Sequence, residues 1–224
     1  MSASAAPFTF DFIRPCRYLL SPGNPSSPAI LAMHGYGMTP AVMLDLVRRM
    51  LGPDPTIASL EAPNTCFLSP DYAAAEIGFN WGTRATADFH TEVHHRIVLG
   101  ALEDLSHRHA CPPHRVALLG FSQPVGLNYR FAAAHPNAVR GIIGLCGGVP
   151  KNWEDGEPAS VPVALLHIAR SEDEYYSPDT SLAFEERLRW RAPDVEFHLL
   201  PGRHRFPSKA GPKVHSWLRR VFPS

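Results

Sequence analysis

The chain has 224 residues, 45% of them hydrophobic, which suffices for one domain with a sizeable core, and we expect residues 1–224 to form a single domain. Lys plus Arg and Asp plus Glu both total 21, and no basic run occurs, so neither nucleic acid nor an anionic membrane is an expected partner. The N-terminus lacks the basic and apolar regions of a signal peptide, and no apolar window reaches membrane-spanning length. We therefore expect a cytoplasmic protein without a membrane span.

The cysteines are widely scattered and form no C-x-x-C pair. They are Cys16, Cys66, Cys111 and Cys146. This spacing favours small buried side chains over a disulfide framework or a zinc site.

Short apolar runs alternate with helical patterns along almost the whole chain. Strands are predicted at residues 8–13, 16–20, 29–33, 56–60, 115–119, 139–145, 161–168 and 195–200, the first two as a pair. Helices are predicted at residues 40–50, with Thr39 as the cap, and at 89–105, 124–134, around 184–188 and at 214–221. Strands that alternate with crossover helices predict an α/β fold with a mostly parallel central sheet and helices on both faces.

A serine stands where the predicted strand before Gly120 gives way to a helix. The sequence Gly-Phe-Ser-Gln at residues 120–123 is typical of a nucleophile elbow, a sharp turn that projects the Ser122 hydroxyl above the sheet. The usual pattern is G-x-S-x-G, and Pro124 replaces the second glycine. Proline is tolerated in the first turn of a helix and leaves the N–H of Gln123 free. The alternative is an incidental serine at the end of a buried strand.

The carboxyl ends of neighbouring strands bear further candidates. The loop His-Gly-Tyr-Gly at residues 34–37 follows an early strand, and its glycines would let backbone N–H groups turn inward. We predict an oxyanion hole from the N–H groups of Tyr36 and Gln123, with His34 as a positioning residue. Taken alone, the loop also fits an ordinary glycine turn.

An acid and a base follow the serine in chain order. Asp173 lies just after the strand at 161–168, and a short aspartate on such a loop fixes an imidazole more rigidly than Glu172 or Glu174 would. His204 lies on the loop between the last strand and the last helix. A serine, an aspartate and a histidine in this order, each at the carboxyl end of a strand, favour a hydrolase with a catalytic triad. A solvated acidic loop is the alternative for any one of these acids.

Two other histidines, four residues apart on a predicted helix, have a different interpretation. His90 and His94 flank Glu92, but the zinc-protease motif requires the glutamate directly after the first histidine, where Thr91 stands. We expect His90, His94 and His95 to form a solvated helix face.

The motifs at residues 34–37, 120–123 and 202–204 resemble those of the small carboxylesterase/phospholipase family of α/β-hydrolases, which includes acyl-protein thioesterases and lysophospholipases. The resemblance extends from Ile30 to the end of the chain. It implies an α/β-hydrolase fold with Ser122 as nucleophile, Asp173 as the acid and His204 as the base. Pro124 and the basic residues beside His204 depart from the family pattern.

The resemblance implies a carboxylic ester hydrolase that cleaves a small-molecule acyl ester or thioester through an acyl-enzyme, with no metal or other cofactor. Residues 146–161 leave no room for a cap domain, so we expect an open site. Segment 61–83 is predicted to form one wall of the acyl pocket, with Phe67, Leu68 and Trp81 as lining residues. A surface loop that is held in place by its aromatic side chains explains the same sequence nearly as well. The alternatives are a catalytically impaired binding protein and a peptidase or acyltransferase with the same triad. A homodimer is a further possibility that the sequence leaves undecided.

Overall fold

The computed structural model describes residues 10, 13–71, 74–87 and 89–223. Its strands are β1 (Tyr18–Ser21), β2 (Ala29–Met33), β3 (Ile57–Leu60), β4 (Asn64–Phe67), β5 (Ile77–Asn80), β6 (Val116–Phe121), β7 (Gly141–Leu145), β8 (Ala164–Arg170) and β9 (Val195–Leu200). Its α-helices are α1 (Pro40–Leu51), α2 (His90–His109), α3 (Val125–Ala134), α4 (Pro178–Arg191) and α5 (Gly211–Val221). None of the helices in these ranges has the length and apolar character that a membrane span requires.

Seven strands form one sheet in the order β1-β3-β2-β6-β7-β8-β9. All neighbours are parallel except β1 and β3, which run antiparallel. The predicted α/β fold with a mostly parallel sheet is therefore confirmed. Because the parallel strands share one direction, the loops that follow β2, β6, β8 and β9 lie at the same edge of the sheet.

The sheet is covered on both faces, as the continuous apolar runs of its strands predict. Leu31 and Met33 of β2 belong to a core that also includes side chains of α2, α3 and α4. Ile30 and Ala32 of the same strand point into a second core, which includes side chains of α1 and α5. Between β7 and β8 the structure has only a loop and a short 3-10 helix, Trp153–Asp155, in agreement with the absence of a cap domain.

The start of α1 follows the predicted capping chemistry. The hydroxyl of Thr39 accepts a hydrogen bond of 3.3 Å from the backbone N–H of Val42, and Pro40 occupies the first helical position. The side chain thus satisfies one of the N–H groups that a helix leaves unpaired at its start.

The N-terminal strand pair is not formed as predicted. β1 pairs with β3, with Tyr18 opposite Leu60. Of the predicted partner at residues 8–13, the structure describes Phe10 and Ile13, which are exposed and belong to no strand, and the remainder lies outside the described residues. Hydrophobic periodicity predicted β1, but it carries no information about which other strand β1 pairs with.

The cysteines are free, and only Cys146 is buried. Cys66 and Cys111 are partly buried, whereas Cys16 is exposed, so the expectation of four buried side chains was wrong. Cys16 precedes β1 and lies outside both cores, which explains its exposure.

The histidines of α2 also differ from expectation. His94 is fully buried, its Nε2 lies 3.1 Å from Oδ1 of Asn128, and its ring packs edge-on against Trp81. His90 and His95 are partly buried. The prediction of a solvated face was wrong because α2 packs against α3, and a polar side chain with a hydrogen-bond partner can be buried there.

Buried histidines make the stability of the fold depend on pH. Burial lowers the pKa of His94 and of His167 to about 3, from an ordinary value of 6.5. Below pH 6.5 the unfolded chain therefore binds protons at these histidines that the folded chain does not bind. The free energy of unfolding is thus highest above pH 6.5 and decreases as the pH drops from 6.5 toward 3. At pH 5 we expect a loss of about 2 kcal/mol for each residue.

Urea unfolding between pH 5 and pH 7.5 tests this prediction. His94→Gln, which keeps an N–H for Asn128, should flatten the pH dependence below pH 6.5 by about 1.4 kcal/mol per pH unit at its steepest. His107→Gln replaces an exposed histidine of the same helix and should leave the slope unchanged. Equal slopes for wild type and His94→Gln would contradict the assignment.

Candidate active site

Ser122 occupies a sharp turn between β6 and α3. Its φ of 62° lies in the left-handed region, which non-glycine residues rarely adopt. The turn is secured by a 2.8 Å hydrogen bond from the N–H of Ser122 to the carbonyl of Leu145. Gly120 lets the helix approach, since a Cβ there would lie 2.9 Å from Nδ2 of Asn128. A strained serine backbone with a closely packed helix behind it is the geometry that a nucleophile elbow requires.

Pro124 fits this turn without disturbing it. Its backbone is in the right-handed helical region, with φ of −75° and ψ of −9°, and it directly precedes α3 as the N-cap residue. Its carbonyl accepts a 2.8 Å hydrogen bond from the N–H of Asn128. The proline costs no helical hydrogen bond, because the first N–H groups of a helix have no intrahelical acceptor.

The ring of His204 contacts the serine. Its Nε2 lies 2.8 Å from Oγ of Ser122, although 82 residues separate them in the chain. Phe121 and Tyr175 pack near the ring, with centroids 5.7 and 4.6 Å from its own. These aromatic neighbours limit the rotation of the imidazole, and only 12% of the His204 side chain is exposed.

Asp173 contacts the opposite edge of the imidazole. Its Oδ2 lies 2.7 Å from Nδ1 of His204. Its Oδ1 accepts hydrogen bonds of 2.8 and 3.2 Å from the N–H groups of Tyr175 and Tyr176. Only 1% of the Asp173 side chain is exposed. The carboxylate is therefore satisfied by three donors and held in one orientation.

Glu174 has a role in the site that motif reasoning missed. Its Oε2 accepts a 2.8 Å hydrogen bond from the N–H of His204, and its Oε1 pairs with Nε of Arg203 at 2.5 Å. The hydrogen bond from His204 is the main cause that lowers the pKa of this carboxyl. Glu174 thus ties the loop after β8 to the loop after β9. The side chain of Glu172 has no comparable contact among the described residues.

The loop after β2 is held by a buried histidine. Nδ1 of His34 lies 2.8 Å from the carbonyl of Gly35, and Nε2 accepts a 3.3 Å hydrogen bond from the N–H of Ala62. Burial lowers the pKa of His34, which favours the neutral form of the ring. Gly37 has φ of 76° and donates its N–H to Phe79. Within the described residues, the side chain of His34 has no hydrogen bond to Ser122 or Asp173.

The two predicted oxyanion donors have free N–H groups. Among the described residues, neither the N–H of Tyr36 nor that of Gln123 donates to a protein acceptor. Both belong to loops at the carboxyl ends of neighbouring strands, β2 and β6. Unpaired backbone N–H groups on such loops are the kind of donor that a developing oxyanion needs.

The side chain of Gln123 clamps the elbow to the segment after β5. Its Oε1 accepts a 2.9 Å hydrogen bond from the N–H of Trp81, and its Nε2 donates to the carbonyl of Gly82 at 2.7 Å. The indole N–H of Trp81 donates to the carbonyl of His34 at 2.8 Å. One chain of hydrogen bonds therefore positions both loops that present the free N–H groups. The motif indicated Gln123 for its backbone alone.

A cavity of about 630 Å³ opens beside Ser122. Trp81, Gln123, Leu127, Val149 and Tyr176 are among its lining residues. Trp81, one of the residues predicted to wall an acyl pocket, thus lines this cavity, and its role in substrate binding stays a prediction.

The other two predicted pocket residues lie elsewhere. Phe67 and Leu68 are not among the described residues that line this cavity, and 52% and 47% of their surfaces are exposed. Segment 61–83 contains a hairpin of β4 and β5, with Asn64 opposite Asn80, and Phe67 and Leu68 fall at its far end. Leu68 packs near Gly37 instead. In this hairpin, Phe67 pairs with Ile77, at the end opposite to Asn80 and Trp81.

No group of three or more His, Cys, Asp or Glu side chains in the described part of the chain is arranged to hold a metal ion. The hydrogen-bonded series from Asp173 through His204 to Ser122 has the geometry that proton transfer from a hydroxyl requires.

Comparison with protein families relates the chain to known enzymes. The family model described as phospholipase/carboxylesterase matches residues 15–221. A search of curated proteins finds no significant match.

Solved structures share the fold at low sequence identity. Esterase PE8 has a TM-score of 0.71 and 20% identity, covering 92% of this chain and 99% of its own. The Bacillus cereus carboxylesterase has a TM-score of 0.71 and 15% identity, with coverages of 92% and 94%. Zea mays acyl-protein thioesterase 2 has a TM-score of 0.69 and 17% identity, with coverages of 92% and 99%. At these identities the likeness extends to the fold alone.

Proposed function

The chain belongs to the phospholipase/carboxylesterase family, and from this premise we propose that it is a serine esterase that forms an acyl-enzyme on Ser122. Membership in the family indicates an esterase-type hydrolase. The triad is supported above all by one observation, the contacts of 2.8 Å from Ser122 to His204 and 2.7 Å from His204 to Asp173. The proposed substrate is a small-molecule acyl ester or thioester.

The first half of the reaction acylates the serine. Nε2 of His204 takes the hydroxyl proton as Oγ of Ser122 attacks the carbonyl carbon, which gives a tetrahedral intermediate with a negative oxygen. The protonated imidazole then gives the proton to the leaving oxygen or sulfur as its bond to carbon breaks. In the second half, His204 removes a proton from water, which attacks the acyl carbon and releases the acid and Ser122.

Asp173 holds the imidazole in the tautomer that this step requires. With its carboxylate accepting from Nδ1, the proton of the neutral ring lies on Nδ1 and Nε2 is free to accept the proton of Ser122. The two N–H groups that donate to Oδ1 keep the carboxylate oriented toward the ring. The same carboxylate stabilises the imidazolium that forms.

The N–H groups of Tyr36 and Gln123 are proposed to bind the negative oxygen of the intermediate. Each such donor is worth about 3 kcal/mol of barrier. Because the Gln123 side chain is engaged with Trp81 and Gly82, its backbone N–H is fixed before substrate binds. Preorganisation of this kind avoids reorganisation during the reaction.

Labelling by a fluorophosphonate tests the function directly. We expect the wild-type protein to react at one serine, which peptide mapping should identify as Ser122, because phosphonylation requires an activated hydroxyl. Heat-denatured protein is the control for nonspecific labelling. Folded protein that remains unlabelled would instead favour the catalytically impaired binding protein.

Substrate series separate the esterase from the other enzymes that use a triad. Rates on p-nitrophenyl esters of increasing chain length, beside matched thioester and anilide substrates, should be highest for the esters and thioesters. Preferential cleavage of the anilide would favour a peptidase, and product transfer to an added alcohol in place of water would favour an acyltransferase.

A further inference from the structure

The cavity beside Ser122 has a local surplus of positive charge. Arg84, Arg130 and Lys151 line it, and none of its described lining residues is acidic. The chain as a whole is neutral, with 21 basic and 21 acidic residues, so tertiary structure gathers these cations. They come from a 3-10 turn before α2, from α3 and from the loop after β7.

Within the described part of the chain, no carboxylate forms an ion pair with any of these cations. Nη2 of Arg130 donates to the uncharged Oδ1 of Asn152 at 2.7 Å, which orients the guanidinium and leaves its charge uncompensated. Among the described residues, Arg84 and Lys151 have no ion-pair partner. The nearby carboxylate of Glu154 pairs with Arg187.

The rest of the cavity has an apolar character. Trp81, Leu127 and Val149 are buried side chains at its wall, and Tyr176 is partly buried there. A volume of about 630 Å³ is typical of a small-molecule site. The cavity therefore combines space for a short hydrocarbon segment with cations at its border, next to the serine hydroxyl.

We propose that the substrate is an ester or thioester that carries a free carboxylate, which the cations of this cavity bind a short apolar spacer away from the scissile carbonyl. Guanidinium groups bind carboxylate and phosphate through paired hydrogen bonds, and Lys151 adds a compact charge. This inference rests on the proposed esterase function. It defines a substrate class that family membership does not specify.

Matched ester pairs test the proposal at both ends of the substrate. On the acyl side, mono-p-nitrophenyl glutarate and p-nitrophenyl valerate have acyl chains of equal length and differ in the terminal carboxylate. On the leaving side, 4-carboxyphenyl butyrate is compared with 4-carbamoylphenyl butyrate. We expect kcat/KM of the anionic member to be higher by about tenfold or more in one of the pairs, and the preference to shrink in 0.5 M NaCl.

Substitutions of the cavity's cations test whether these residues cause the preference for anionic esters. Arg130→Gln should lower the ratio of anionic to neutral kcat/KM by about tenfold. Lys151→Gln, at an exposed position where loss of folding is not expected, should lower the ratio in the same direction. Arg219→Gln removes an exposed arginine from α5 on the other face of the sheet and should leave both rates unchanged.

The outcomes separate this inference from the function on which it rests. Hydrolysis of the neutral esters with no preference for the anionic member of either pair would overturn the inference alone. A preference that Arg130→Gln and Lys151→Gln both leave intact would also overturn it. Absence of turnover on all four esters, together with no fluorophosphonate labelling, would overturn both proposals.

Discussion

Ser122→Ala is expected to lower ester turnover by about four to six orders of magnitude, since without Oγ no acyl-enzyme can form. Any remaining rate would come from the oxyanion donors and from binding, which do not involve the hydroxyl. Hydrolysis of p-nitrophenyl butyrate, with burst kinetics for the acyl-enzyme, measures the effect.

The same substitution should leave the fold intact. Serine and alanine have the same Cβ, so the strain of the φ of 62° at this position is already present in the wild type. We expect the melting temperature to change by only a few degrees. Ser26→Ala, which alters an exposed serine at the opposite end of the sheet, is the matched control for activity. Turnover near the wild-type rate in Ser122→Ala would refute the nucleophile.

Asp173→Asn is the second substitution with a large expected effect, a loss of about 10⁴ in kcat. The two N–H groups that donate to Oδ1 require an acceptor, so the amide oxygen stays there and the NH₂ group turns toward His204. Nδ1 must then accept, which moves the ring proton to Nε2. In this tautomer the imidazole cannot take the proton from Ser122.

The neighbouring acids provide the controls for this prediction. Glu172→Gln should be mild, because the hydrogen bond of Glu172 to the described residues comes from its backbone N–H, which donates to the carbonyl of Gly202 at 2.9 Å, and not from its side chain. Glu174→Gln should have an intermediate effect, since its side chain holds the loop of His204 without touching the ring. Initial rates for the three variants decide the order. A severe loss of activity in Glu172→Gln with a mild loss in Asp173→Asn would identify Glu172, and not Asp173, as the acid of the triad.

Much of the fold could be predicted because local patterns and chain order are linked in α/β proteins. The runs at Ala29–Met33 and Val116–Phe121 are apolar throughout, which indicates strands buried on both faces. Once they are parallel, the residues after each strand must meet at one edge of the sheet. That constraint explains how Ser122, Asp173 and His204 could be expected near one another before any distance was known.

The second layer of the site depends on contacts that no local pattern records. The Gln123 side chain joins the elbow to Trp81 across 42 residues, and Glu174 joins two loops across 30. Burial of His94 depends on the packing of α2 against α3. Each of these contacts forms only after the sheet has brought distant segments together, so hydrophobic periodicity could not indicate them.

By itself, the sequence indicated most of the order of strands and helices, the parallel character of the sheet, and a serine, an aspartate and a histidine at its carboxyl edge, because these follow from periodicity, motifs and chain direction. Only the tertiary structure decided that β1 pairs with β3, that Phe67 and Leu68 lie away from the cavity, and that three cations border it within a neutral chain. The physical reason is that strand pairing, side-chain burial and local charge depend on which residues are neighbours in space. The sequence pattern is compatible with many sets of neighbours, and the tertiary structure decides which set forms.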